Sequence, residues 1–340
     1  MRKIKLGFIG AGFMSQIAHL PSFYEDARVE IAALSDIDKE LLDKVSRKYQ
    51  IKKTYLSYKE MLNKENLDGI VLVVNRSKIE TIASDVLKKK IPLFSEKPMA
   101  TSFLSAKKLY NLSKKNKTKY LLGHMKRHDN GIIVLKNFLK KNNLGKLISV
   151  YYQSFIGDSF YNPFEYFKHG DKNYRKKNTL NKNLRTKKLI FLKYLNSFGH
   201  SINLIRHLFG EIKINYKKLS KSGEGLVFFK SKKNVNIIFN NQFSKATRWI
   251  EDIKINFEKG SIFVKIPAPL LKNIPAEVTI EYYKNGKIFR PGIKWGWSFR
   301  NQAKNFIDYI VLNHTNTSSC RPKDSLEDIK IIESIFKNKN

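Results

Sequence analysis

Apolar residues recur along the chain at two spacings. Ile4, Leu6, Phe8 and Ile9 mark a short buried strand, and Ile17, Leu20 and Phe23 fall on one helical stripe. Val29, Ile31, Ala33 and Leu34 mark a second strand that ends at Asp36. Gly10, Ala11 and Gly12 make a tight turn between the first strand and the helix. Residues 37–66 read as helical and charged, with Leu41, Leu42, Val45, Tyr49, Tyr58, Met61 and Leu62 turned inward. Residues 67–74, LDGIVLVV, form a continuous apolar run, the pattern of a strand covered on both faces. A helix from about Lys78 to Lys90, a strand at 92–94, a helix over 101–116 and a strand at 120–122 continue the alternation. Strands alternating with helices predict a parallel sheet.

The second half reads differently. A helix over 132–141 and a strand over 147–155 are followed by a stretch rich in Tyr, Asn and Lys. That stretch, 156–190, predicts long loops, with Tyr161, Tyr166, His169, Tyr174 and Arg185 as candidate substrate contacts. Leu195, Phe198, Ile202, Ile205 and Leu208 then recur at helical spacing up to a stop at Gly210. From Glu211 to Lys284 apolar residues alternate with polar ones, with turns at Lys259-Gly260 and Asn285-Gly286. No helix separates these strands, so the sheet they predict is mostly antiparallel. Helices over 299–312 and 325–336 close this second domain, Ser325 and Asp328 giving the latter a capping-box start.

The strand, glycine turn, helix and strand of residues 4–36 are the layout of a dinucleotide site. Glycines let the backbone approach a pyrophosphate, and a helix N-terminus offers free N–H groups. An acidic side chain some 20 residues on accepts hydrogen bonds from a ribose hydroxyl pair. Gly10, Gly12, Phe13 and Met14 are the pyrophosphate candidates and Asp36 the ribose candidate, unless Asp36 caps the next helix. A carboxylate there repels a 2′-phosphate, which favours NAD over NADP. Ser15 replaces the third glycine of the usual motif. The expected fold is α/β: a Rossmann parallel sheet over 1–123, then an α/β domain over 124–340 with a large open sheet.

Ligands of such a sheet bind at the carboxyl ends of its strands. Lys97 lies at such an end, in Ser95-Glu96-Lys97-Pro98. Oxidising a secondary alcohol requires removal of its hydroxyl proton as hydride leaves. A desolvated lysine can carry that proton and stabilise an alkoxide.

Ile4 to Pro21, Asp36, Glu96-Lys97-Pro98 and Gly123 to Asp129 (GHMKRHD) together resemble the Gfo/Idh/MocA family of oxidoreductases. The resemblance implies a catalytic Lys97, a Glu96 near the nicotinamide riboside, a cis bond before Pro98 and a domain crossing near Gly123. It also aligns residues 196–203 with a family helix that supplies a catalytic histidine. His200 takes that place, while Asn196 and Asn203 stand where the family has Asp. Asn75 occupies the cofactor wall, where the family has a Thr-Pro pair. Arg127, Asn196 and Arg300 are substrate-binding candidates beside Lys97 and His200. Trp295 and Trp297 could stack on a sugar or pack in the core.

The implied activity is hydride transfer between NAD, less readily NADP, and a secondary alcohol or ketone of a sugar or nucleotide sugar. The alternative is a non-catalytic NAD-binding sensor or subunit of the same fold. The net charge of +36 comes mostly from lysines spread along the chain. It suits an anionic small-molecule substrate better than a dedicated nucleic-acid site. One cysteine, Cys320, rules out an intrachain disulfide and points to a reducing, cytoplasmic setting. No segment reads as membrane-spanning. His124 and His128 share helical spacing, but no Cys, Asp or Glu cluster completes a ligand set, so no metal site is expected. The open sheet suggests a homodimer or homotetramer.

Overall fold

A computed structural model describes residues 2–141, 143–157, 166–168, 187–244 and 249–337. Of the loop candidates, Tyr161, His169, Tyr174 and Arg185 lie outside the described residues. The chain divides into two compact units, one of 1–124, 163–189 and 299–329, the other of 125–162, 190–298 and 330–340.

The first unit is built on strands β1 (Ile4–Ile9), β2 (Val29–Ser35), β3 (Lys53–Tyr55), β4 (Gly69–Leu72), β5 (Leu93–Glu96) and β6 (Tyr120–Gly123). Their order is β3-β2-β1-β4-β5-β6, and every pair is parallel. This is the doubly wound order whose direction reverses beside β1, between β1 and β4. The crossovers are a π-helical turn (Ser15–His19) running into α1 (Leu20–Tyr24), then α2 (Lys39–Lys48), α3 (Tyr58–Lys64), α4 (Arg76–Lys88) and α5 (Phe103–Lys115). Asp38 caps α2, its carboxylate accepting the Leu41 N–H at 3.0 Å. β3 interrupts the stretch expected to be helical throughout. It is a three-residue, mostly exposed edge strand of Lys, Thr and Tyr, too short and polar to show an alternating pattern.

A second departure is larger. The helix α8 (Ser298–Leu312), expected in the second domain, belongs to the first. Phe306 packs with Phe94 at 5.7 Å and with Phe23 at 6.3 Å between ring centroids. Ala303 and Ile307 join the same core as Phe8 and Leu121. An apolar helical stripe shows that a helix is buried, but not against which partner.

The second unit centres on a sheet of order β14-β13-β12-β11-β7-β10-β9-β8. Its strands are β7 (Leu147–Ile156), β8 (Ile212–Leu219), β9 (Gly225–Ser231), β10 (Asn236–Phe243), β11 (Ile250–Phe257), β12 (Gly260–Lys265), β13 (Glu277–Tyr282) and β14 (Lys287–Phe289). All pairings are antiparallel except β7 with β10. Val150, Tyr152, Ile237, Phe239, Ile253 and Ile255 are buried. Alternation then turns Tyr151, Asn240, Lys254 and Phe263 to the other face. The unit also holds α6 (Asn130–Lys141) and α7 (Lys187–Phe209). Phe198 of α7 meets Phe239 at 6.0 Å.

Under α7 lies a buried polar network. The Glu251 carboxylate receives the Lys126 ammonium at 2.5 Å, the Tyr152 hydroxyl, the Trp249 indole N–H at 3.2 Å and the Ser201 hydroxyl at 3.3 Å. So many donors offset the cost of burying a charge. Beside it, burial and the neighbouring Arg127 guanidinium push the His128 imidazole down to about 3. Trp297 is core, its N–H donating to the Pro269 carbonyl at 3.2 Å, while Trp295 is exposed. The final helix α9 (Pro322–Phe336) starts three residues before Ser325, with proline in its first turn. Asp328 is therefore mid-helix and buried, not part of a cap. Among the described residues, no helix is long and apolar enough to cross a membrane.

Two outcomes are expected. Phe306→Ala should cost about 3–5 kcal/mol in denaturant unfolding, because it empties the centre of the first core. His128 is neutral when folded and takes a proton when unfolded between pH 6.5 and about 3. The unfolded state binds more protons there, so stability falls as pH falls through that window. His128→Asn should flatten the melting temperature against pH over the same range.

Candidate active site

The site of the first unit begins at the glycine turn. Gly10 has φ +98°, and a Cβ on it would lie 2.1 Å from the Val73 carbonyl oxygen. Only glycine turns this tightly against the end of β4. The turn is closed from two sides. Asp36 Oδ2 accepts the Ala11 N–H at 2.7 Å, and the Ser15 hydroxyl donates to the Gly10 carbonyl at 2.6 Å. Ser15, in the place of a third glycine, is thus buried and bonded to the turn. Gly12, Phe13 and Met14 remain half-exposed where the helix starts. Asp36 Oδ1 also accepts the Asp38 N–H at 3.0 Å. Each carboxylate oxygen has a second lone pair, so both can still receive a ribose hydroxyl. These residues suit a dinucleotide: a tight glycine turn, a helix start and an acid bonded to that turn.

Lys97 follows β5 and is half-buried, and its bond to Pro98 is cis. Its N–H donates to Glu96 Oε2 at 3.0 Å. The other oxygen, Oε1, lies 2.7 Å from His19 Nε2. His19 is 1% exposed, and its ring sits 5.5 Å from both Phe94 and Phe299. The structure therefore joins Glu96 and Lys97 to a residue the sequence reading passed over.

Gln16 was missed too. Its side-chain nitrogen donates to the Phe167 carbonyl at 2.9 Å and its oxygen accepts the Phe167 N–H at 2.8 Å. Next to it, Tyr166 meets the Phe13 ring at 4.8 Å. The candidate Tyr166 is thus placed against the turn. A signal for both misses was present: residues 13–24, FMSQIAHLPSFY, hold no charge in a chain that is 28% charged. A stretch without charge is mostly buried, so its polar residues need partners inside.

The remaining candidates have partners of their own. Asn75 caps α4, its Oδ1 accepting the Ser77 N–H at 3.1 Å. Arg300 pairs with Glu25 at the surface of the first unit. In the second unit, His200 and Asn196 are half-buried one turn apart on α7. Arg127 is buried, and its Nε donates to Asn203 Oδ1 at 2.6 Å. The structure thus pairs two positions that the sequence reading treated separately.

Residues 4–124 match the model of an oxidoreductase family with an NAD-binding Rossmann fold, GFO_IDH_MocA. Inositol 2-dehydrogenase of Salmonella typhimurium is 25% identical over 150 residues, 44% of this chain and 43% of that one. The match thus spans less than half of that relative. Two solved structures share the fold over nearly the whole chain. An oxidoreductase from Agrobacterium radiobacter, in complex with NAD+, L-tartaric acid and magnesium, has a TM-score of 0.73 at 14% identity, covering 97% of this chain and 94% of that one. KijD10, a 3-ketoreductase from Actinomadura kijaniata in complex with NADP and TDP-benzene, has a TM-score of 0.76 at 12% identity, covering 98% and 97%.

The His19–Glu96 bond has a direct test. His19→Leu leaves a buried carboxylate oxygen without its donor and should cost about 1–3 kcal/mol. His19→Gln, which can place an N–H near the same point, should recover most of the loss in thermal unfolding. Equal losses in both variants would mean the bond contributes little.

Proposed function

This chain belongs to the Gfo/Idh/MocA oxidoreductase family through residues 4–124, and from that premise we propose that it is an NAD-dependent dehydrogenase or reductase of a sugar-like substrate. The observation that carries the reading is the position of Lys97. It follows β5, at the same carboxyl end of the sheet as the glycine turn after β1 and Asp36 after β2. Gly10 to Met14 would hold the pyrophosphate and Asp36 the ribose. The carboxylate of Asp36 favours NAD, since a 2′-phosphate would meet its charge. Bound nicotinamide would supply the hydride chemistry.

The side chains do the rest. Lys97 takes the proton from the substrate hydroxyl in oxidation and returns it in reduction. Glu96 holds the Lys97 backbone and faces the nicotinamide riboside. In the second unit, His200 is the candidate for assisting proton transfer, and Arg127 and Asn196 are its candidates for substrate contact. A cyclic polyol fits the name of the inositol 2-dehydrogenase relative, and a nucleotide-linked sugar, whose diphosphate resembles that of the TDP-benzene bound to KijD10, fits the net charge of +36, which attracts anions. A homodimer or homotetramer goes with this reading.

A second reading is favoured by one contact. Asn203 accepts from Arg127 at 2.6 Å where the family carries a carboxylate. Asn cannot move a proton, so a non-catalytic NAD-binding subunit would look the same there.

The test is equilibrium binding of NAD and NADP to wild type and Lys97→Ala, followed by turnover on inositols, free sugars and TDP-linked sugars. NAD should bind more tightly than NADP to both proteins. Lys97→Ala should lower turnover about 10²–10⁴-fold with binding unchanged. Binding without turnover in the wild type would favour the second reading. Binding of neither nucleotide would overturn both.

A further inference from the structure

We propose that His124, Cys320 and Asp328 form a zinc site in the first unit, apart from the dinucleotide turn. The residues come from distant parts of the chain and are all buried, at 4%, 1% and 3% exposure. One ligand-capable atom from each lies within 4.8 Å of the other two. His124 Nε2 and Asp328 Oδ2 are 3.9 Å apart, beyond hydrogen-bond reach. Bonds of about 2.0–2.3 Å to a tetrahedral zinc place its ligands about 3.3–3.6 Å from one another. The three side chains therefore need only a small contraction to share an ion.

The backbone around them is already fixed. The His124 N–H donates to the Leu122 carbonyl at 2.8 Å, and the Leu122 N–H donates to the Cys320 carbonyl at 2.9 Å. Asp328 sits on α9, whose early start at Pro322 turns it inward. The donor chemistry selects the metal. Thiolate and imidazole suit zinc, and a carboxylate completes a mixed set, whereas magnesium and calcium prefer all-oxygen shells. Charge balances as well. A neutral imidazole, a thiolate and a carboxylate carry two negative charges against the two of Zn²⁺, so the buried site is neutral overall. Binding releases the Cys320 thiol proton to solvent, and a water takes the fourth position. The ion would staple the end of β6 to the C-terminal helix. This inference does not depend on the oxidoreductase reading.

Cobalt is the probe, because the chain holds one cysteine. Any thiolate-to-cobalt charge-transfer band must come from Cys320, without recourse to a variant. The full chain, stripped with chelator, should take up one equivalent of Co²⁺ with that band and tetrahedral visible bands. Zn²⁺ should displace the cobalt and raise the melting temperature. Cys320→Ser should abolish the charge-transfer band. His124→Gln and Asp328→Asn should weaken uptake at least tenfold, in samples with native circular dichroism. Absence of saturable uptake by the wild type would overturn the proposal. So would uptake without the thiolate band, which marks adventitious binding at the surface.

Discussion

The first unit depends on one crowded point, where the backbone at Gly10 passes the Val73 carbonyl with no room for a side chain. That approach brings the end of β1 against the end of β4 at the place where the strand order reverses. It also sets the turn where the Asp36 carboxylate can reach the Ala11 N–H. One oxygen of Asp36 therefore organises the protein and leaves capacity for a ligand. Glu96 repeats the arrangement three strands away. Its carboxylate receives His19 from inside and the Lys97 N–H from the chain. Both acids are bound to the scaffold before any cofactor arrives, which is how a site holds its geometry cheaply.

Much of this was legible because it rests on local chemistry. The strand, glycine turn and acid of residues 4–36 each depend on neighbours in sequence, and they appear where the pattern puts them. The two-residue period from 211 to 284 likewise became strands β8 to β13. What was not legible rests on partners. The apolar stripe of α8 was evident, but its docking against Phe23 and Phe94 depends on residues some 200 to 280 positions away. Asp328 resembled a cap because Ser325 precedes it by three, yet proline at 322 had already started the helix. The three residues of β3 offered too little pattern to be seen.

In the second unit, Asn203 accepts from a buried guanidinium through its amide oxygen. Arg127 is buried beside it, and so is His128, kept neutral by burial and by that same guanidinium. Among the described residues, two carboxylates are buried in the same unit: Glu251, which Lys126 matches with an opposite charge, and Asp129, which accepts the Gly131, Ile132 and Ala276 N–H groups.

The discontinuity of the first unit has a consequence for biosynthesis. Its sheet is complete once residue 124 has been made, but the face that receives Phe306 stays open until α8 emerges. At ~5–20 residues per second on the ribosome, that interval lasts on the order of ten seconds or more. The nucleotide-binding domain is begun first and finished nearly last. The growing chain must shield an aromatic surface while the whole second sheet is being synthesised.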